Sequence, residues 1–248
     1  VIGLGLGLEL GSQSGGGAVS PVDALAARAA TVAVYNWPNP ATMTAGDGGA
    51  VVQGDSDTIA TVPNAKTPGS WDQSQTTAAY RPIYDNGAVF DGTNDNMFIT
   101  LPGTRPASAT LVMIVKSTDN VDAMLIGTTS LSHYVARAVD ASVAASNAGM
   151  GTLTFRKNGV GVTAGTRDQV ADLFLNGVAS VMTVQAVNLT NMAYSDIRIG
   201  QSGAVPPASN GAGRFLLVAV LDAAQADHAT ALADAEALAS AQIAGLGL

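Results

Sequence analysis

Residues Tyr80–Pro102 read YRPIYDNGAVFDGTNDNMFITLP: two short β-type runs, Gly87–Phe90 and Met97–Leu101, set around the turn cluster Asp91-Gly92-Thr93-Asn94-Asp95-Asn96. β-branched and aromatic residues suit a pleated sheet surface, and Asx and Gly residues suit the turns between strands. The same alternation recurs along the chain. Thr31–Tyr35 reads as a strand ended by Trp37-Pro38-Asn39-Pro40, because each proline removes a ladder donor. Ala109–Val115 is a near-continuous apolar run, suited to a strand buried on both faces. Met124–Gly127, His133–Val139, Asp196–Gly200 and Gly213–Leu221 read as further strands, the last two enclosing a polar loop with Pro206-Pro207. Asn158-Gly159 between Thr152–Lys157 and Gly159–Thr163 is a hairpin signal, and Asn176-Gly177 between Asp172–Leu175 and Val178–Val184 reads as a second. Short strands with regular turn signals specify a mainly β chain, a sandwich or jelly roll.

The rest of the chain frames that core. Pro21 opens a short Ala-rich helical stretch, Ala24–Ala29, since proline suits a first helical turn. Ala45–Ser74 is polar and rich in turns: Gly46-Asp47-Gly48-Gly49 leads into a short strand, Ala50–Gln53, and Lys66-Thr67-Pro68-Gly69 turns again. Trp71 is expected to plug this long loop against the core, the alternative being a stack on a sugar ring. Asp222-Ala223-Ala224-Gln225 fits a capping box, and Leu232, Ala235, Leu238, Ala239 and Ile243 continue at helical spacing to a stop at Gly245.

The first ten residues are of another kind. Ile2, Leu4, Leu6, Leu8 and Leu10 alternate with Gly3, Gly5, Gly7 and Glu9. In an extended chain this puts a row of apolar side chains on one face and nearly bare backbone on the other. Glycine is poor in an isolated strand, so such a segment is expected to pair with a partner sheet edge. Gly11–Gly17 is a flexible linker by composition. Residues 1–20 are therefore expected to be a docking arm and linker, and residues 21–248 the folded unit.

A formal charge of −8 disfavours nucleic acid, whose affinity comes largely from Lys and Arg. With 0 cysteines there is no disulfide, thiolate metal site or thiol nucleophile. No apolar run approaches the roughly 18 residues of a membrane helix, and no basic region precedes the apolar first residues as a signal peptide would require.

Catalytic patterns are sparse. Glycoside hydrolysis needs two facing carboxylates; the chain has two Glu, Glu9 and Glu236, far apart in sequence. Asp91 with Asp95 is the nearest acidic pair, and both fit a turn whose side chains bond their own backbone. His133 and His228 are too few for a three-His metal site, and His228 is expected to be a solvated helix residue. No Gly-x-Ser-x-Gly elbow is present, and Gly3-x-Gly5-x-Gly7 lacks the Lys and the flanking strand and helix of a phosphate loop. No enzyme activity, catalytic residue or cofactor is expected. Calcium at the oxygen-rich turn is the one metal candidate.

Gly48-Gly49-Ala50-Val51, Arg81-Pro82, Phe90-Asp91-Gly92-Thr93-Asn94-Asp95, Leu175-Asn176-Gly177-Val178 and Ile197-Arg198-Ile199-Gly200, followed by Gly213–Leu221 and a helix, occur in that order. This order resembles the concanavalin A-like, laminin-G-type jelly rolls of phage virion structural proteins, over roughly Pro21 to Gln242. The Gly-Leu repeat before a Gly/Ser linker is similar to the start of such proteins. Before Arg81 the family's Asp-x-Ser-Gly-Asn-Gly pattern is replaced, with Gly54-Asp55-Ser56-Asp57 in its neighbourhood. The resemblance implies a jelly-roll sandwich with a C-terminal helix and an extended N-terminal arm. It implies a homo-oligomeric virion component, a capsid decoration, head spike or tail-fibre part, that meets capsid or fibre subunits through Ile2, Leu4, Leu6, Leu8 and Leu10. The alternative it carries is a carbohydrate-binding adhesion module for host-surface polysaccharide, with Asp91, Asn94, Asp95 and Asn96 as glycan-binding groups. A glycoside hydrolase is the more distant option.

Overall fold

The computed structural model describes residues 19–45, 50–52, 57–118, 123–128, 134–138, 144–146, 148–191, 196–202, 209–210 and 212–248. The Gly-Leu arm and its linker lie outside these residues, as do the turn at 46–49, Gly54–Ser56, His133 and Pro206-Pro207.

The elements in order begin with α1 (Pro21–Ala26), β1 (Thr31–Val34), β2 (Thr44–Ala45), β3 (Ala50–Val51), β4 (Ile59–Val62), β5 (Gln73–Ser74) and β6 (Ile83–Tyr84). Next come β7 (Ala88–Asp91), β8 (Met97–Thr100), β9 (Ala109–Lys116), β10 (Ala123–Gly127), β11 (Tyr134–Ala138), β12 (Thr154–Lys157) and β13 (Val160–Val162). The chain closes with α2 (Arg167–Phe174), β14 (Ser180–Val187), β15 (Asp196–Ile199), β16 (Gln201–Ser202), β17 (Ser209–Asn210), β18 (Ala212–Asp222) and α3 (His228–Gly245).

The fold is mainly β, with two antiparallel sheets. One runs β13-β12-β14-β9-β18-β7-β6, with β1 also paired to β18; the other runs β11-β10-β15-β8-β5-β4-β2-β3. The Asx-rich stretch Asp91–Asn96 is a crossover between them, since β7 belongs to the first sheet and β8 to the second. Thr58 bridges Ile83, which joins the sheets at one edge.

Why the sheets hold together is visible at β18. The register of β18 against β9 slips between Leu217 and Ala219. Such a bulge releases carbonyls from the ladder. The Leu217 carbonyl accepts from Trp37 Nε1 at 2.8 Å and, across the interface, from Gln73 Nε2 on β5 at 3.2 Å. Trp37 and Gln73 are fully buried, so both donors need that acceptor. The apolar interior is one cluster, with Ile59, Met97, Ile99 and Ile197 from the second sheet and Leu111, Met113, Phe215 and Leu217 from the first.

α3 covers β18, β9 and β14. Its buried face is Ala231, Leu232, Ala235, Leu238, Ala239 and Gln242, which follows the expected helical row apart from half-buried Ile243. This explains why β9 is buried from Ala109 to Val115 on both faces. Glu236 pins the helix to the sheet: it pairs with Arg156 of β12 at 2.9 Å and accepts from Thr183 Oγ1 of β14 at 2.9 Å. No helix among the described residues is long and apolar enough to cross a membrane.

Three expectations are corrected. Residues 172–175 are not a strand of a second Asn-Gly hairpin. Thr166 and Gln169 form a capping box that opens α2, which runs to Phe174; the helical cap outweighs the short apolar run Leu173-Phe174-Leu175. The C-terminal helix starts at His228, not after Asp222. Asp222 ends β18, and its carboxylate accepts from the Ala224 N–H and Gln225 Nε2 in a turn. His228 is half-buried rather than solvated, with Nε2 3.0 Å from Thr110 Oγ1. By contrast, the Asn158-Gly159 hairpin forms as expected, with φ of 49° and 79°, the two left-handed residues that a tight β-hairpin requires.

Candidate functional site

The Asx-rich crossover is held by its own side chains. Asp91 Oδ1 accepts the N–H groups of Thr93 at 2.7 Å and Asn94 at 3.3 Å. Asp95 Oδ2 accepts the Asp91 N–H at 3.0 Å. Asn96 Nδ2 donates to the Asn94 carbonyl, and Asn96 Oδ1 accepts from Gln75 Nε2 at 2.6 Å. Asp95 and Asn96 are buried. Burial, helped by the nearby Asp91 charge and opposed by the Asp91 N–H, pushes the Asp95 carboxyl up from 3.8 to about 6. The Arg-Pro motif supports the same region: Arg81 is buried, with Nε donating to the Gln75 carbonyl at 2.9 Å.

Of the groups expected to bind calcium or a glycan, Asp91 and Asp95 thus hold backbone N–H groups and Asn96 Oδ1 holds the Gln75 amide. Among the described residues no group of three or more His, Cys, Asp or Glu side chains is placed to hold a metal ion.

Other carboxylates also brace the frame. Asp227 accepts the N–H groups of Ala29 and Ala30 at 2.9 Å, fastening the exit of α1 to the start of α3. Asp234 pairs with Arg28 at 2.7 Å, and Asp85 with Arg214 at 3.1 Å. Glu236, the one Glu in the described part, is held by Arg156 and Thr183. Its Glu9 counterpart lies outside the described residues, as do Ile2, Leu4, Leu6, Leu8 and Leu10.

A recess among the described residues lies over β4, β5 and β8. It is a groove of about 440 Å³ lined by Thr61, Ser74 and Thr100 from the three strands, by Pro102, and by the loop Gly69–Asp72. Register explains the hydroxyl row: Thr61 pairs with Ser74, and Ser74 with Phe98, two residues before Thr100. Trp71 in that loop is buried, as a plug should be, but its φ is +63°. Tyr35 Oη donates to the Trp71 carbonyl at 2.5 Å, Asn64 Nδ2 donates to the Ser70 carbonyl at 2.9 Å, and Asp72 accepts from Asn64 N and Gly69 N. Burial, and secondarily the Asp72 charge, raise the Tyr35 phenol well above its ordinary value, keeping it a donor. No sequence motif announced this groove, because its parts come from three strands and a loop.

Compared with known proteins, the chain matches no protein-family model, no curated protein and no solved structure.

Proposed function

We propose that this chain is a structural protein of a phage virion, a jelly roll fixed to the particle by its first ten residues. The observation that carries the reading is a division of labour within the chain. In the described part, Asp72, Asp91, Asp95, Asp227, Asp234 and Glu236 are tied into caps, turns and ion pairs that brace the frame. Ahead of it stands a segment whose Ile and Leu residues have strand period and whose other face is glycine. Such a segment is suited to strand addition on a neighbouring subunit.

The jelly-roll topology draws support from the sheet order. The chain crosses between the two sheets after β1, β5, β7, β8, β9, β11 and β14, returns from β15 by way of the small β16–β17 pair, and late β18 lies beside early β1 and β7. Antiparallel sandwiches of Greek-key type have such crossovers. A homo-oligomer on the particle is part of this reading, because virion surfaces are symmetric and the Gly-Leu segment is self-similar. A carbohydrate-binding role at Asp91, Asn94, Asp95 and Asn96 is the weaker reading, because Asp91 and Asp95 bond within the turn and Asn96 bonds Asn94 and Gln75.

The test is mass spectrometry of density-purified particles from the phage that encodes the chain. A fixed copy number per particle is expected. Presence only in the lysate, with none in particles, refutes the proposal.

A further inference from the structure

We propose that β13 is an acceptor edge, which takes residues 2–10 of a second copy of this chain as an added strand. This role rests on the proposed strand-adding character of residues 2–10 and supplies their acceptor.

The first observation is how the edges of the first sheet are finished. On one side the sheet ends in β6 and β1, and local chain closes both. The Ile59 N–H donates to the Pro82 carbonyl and the Tyr84 N–H to the Asp57 carbonyl, so residues 57–59 lie along β6. The Val34 N–H donates to Asn64 Oδ1, the Ala65 N–H to the Val34 carbonyl and Lys66 Nζ to the Thr31 carbonyl, so residues 64–66 lie along β1. The other side ends in β13. Among the described residues, Val160, Gly161 and Val162 have no hydrogen bond beyond the β12 ladder.

The second observation is the chemistry of that strand. Open edges are commonly guarded by a charge, a proline or a bulge. Short as β13 is, Val160-Gly161-Val162 has none of these, and its register against β12 is regular. The two-residue turn Asn158-Gly159 makes Lys157 with Val160 a hydrogen-bonded pair, and Phe155 with Val162 the next. Gly161, between them, therefore directs its N–H and carbonyl away from β12. A Cβ on Gly161 would meet nothing within 4 Å, so a second backbone can come close. Val160 beside it is 67% exposed, an apolar side chain that an incoming Leu row would cover.

The third is where the donor segment starts. Residues 2–10 precede α1, and α1 leads into β1. β1 and β13 stand on opposite sides of the first sheet, with β18, β9, β14 and β12 between them, a span of about 24 Å at the usual strand spacing. α3 lies across β18, β9 and β14 on the way. A segment that leaves beside β1 thus faces the β13 edge of a neighbour set alongside in the same orientation. Repeating that contact is a head-to-tail interface, the kind that closes into rings. Charge permits it: residues 2–10 carry one ionisable side chain, Glu9, and β13 carries none, so two copies of formal charge −8 meet where repulsion is least.

The test exploits a chain with 0 cysteines. Full-length Leu4→Cys, Leu6→Cys and Leu8→Cys are each mixed with full-length Val160→Cys and mildly oxidised, and mixed disulfides are counted by mass spectrometry. A disulfide needs its Cα atoms within about 7 Å, so the product reports that segment and edge are adjacent. At least one of the three positions is expected to join Val160→Cys, about tenfold more than it joins Ile83→Cys on the opposite edge. Gly161→Pro, added to the Val160→Cys chain, removes the outward N–H and no ladder bond; it should lower the yield about tenfold at an unchanged melting temperature. Equal yields at Val160→Cys and Ile83→Cys, no mixed disulfide at any position, or a yield that Gly161→Pro leaves untouched overturns the proposal. So does a Leu6→Cys/Val160→Cys chain that closes within one copy in preference to joining two. These readings come from the free chain and the virion reading from particles. A chain counted in particles that fails to cross-link therefore removes this acceptor and leaves the virion reading standing.

Discussion

At the scale of single residues, Asp95 and Ala186 give the clearest predictions. The Asp95 carboxyl is pushed up to about 6 in the fold from an ordinary 3.8. A raised carboxyl pKa means that protonation favours the folded state. The stabilisation is full below about pH 4 and is lost as pH rises through about 6. Asp95→Asn keeps an oxygen for the Asp91 N–H and removes the buried charge. It should stabilise the protein at pH 7 by about 2 kcal/mol and flatten the stability profile between about pH 4 and 6; denaturant unfolding across pH measures both. Ala186 is exposed with φ of +63° where β14 slips register against β9. Ala186→Gly should therefore raise stability by about 1 kcal/mol, read as a higher urea midpoint with unchanged slope. The reverse case is Gly200, where an added Cβ would meet the Phe90 ring at 2.5 Å with φ at +82°. Gly200→Ala should cost about 3 kcal/mol. The turn at 91–96 was legible residue by residue, because Asx side chains bond locally. The groove was not, since Thr61, Ser74 and Thr100 become neighbours only through strand pairing.

At the scale of elements, legibility followed the strength of local patterns. β1, β7, β8, β9, β15 and β18 fall within a residue or two of the runs that signalled them. Their β-branched and apolar content is high enough to outcompete other conformations. β4 and β5 were hidden in a stretch read mainly as loop, because four and two residues of mixed polarity carry little periodicity. α2 was missed although its signal was present. Thr166 and Gln169 three positions later are a capping box, while Asn176-Gly177 downstream of the helix has the sequence of a hairpin turn. The importance of that cap is measurable: Thr166→Ala should cost about 1 kcal/mol. The helix-to-sheet staple matters more. Glu236→Ala would leave Arg156 and Thr183 without their carboxylate in a largely covered site, where Glu236 is 12% exposed. A loss of about 3 kcal/mol in thermal or denaturant unfolding is expected.

At the scale of the whole molecule, the frame and the segment before it carry different parts of the account. The frame is two antiparallel sheets sharing one apolar interior, knitted at the bulged Leu217 carbonyl and covered on one side by α3. Its stability is predicted to be independent of the docking segment, because the described residues already form one core cluster that joins both sheets and α3. The Ile2, Leu4, Leu6, Leu8 and Leu10 row is instead expected to find its partner on another subunit. Deletion of residues 1–17 separates the two roles, with copies per purified particle as the readout and the melting temperature of the free chain as the control. The account predicts loss of particle incorporation with an unchanged melting temperature. Full incorporation of the truncated chain would contradict it.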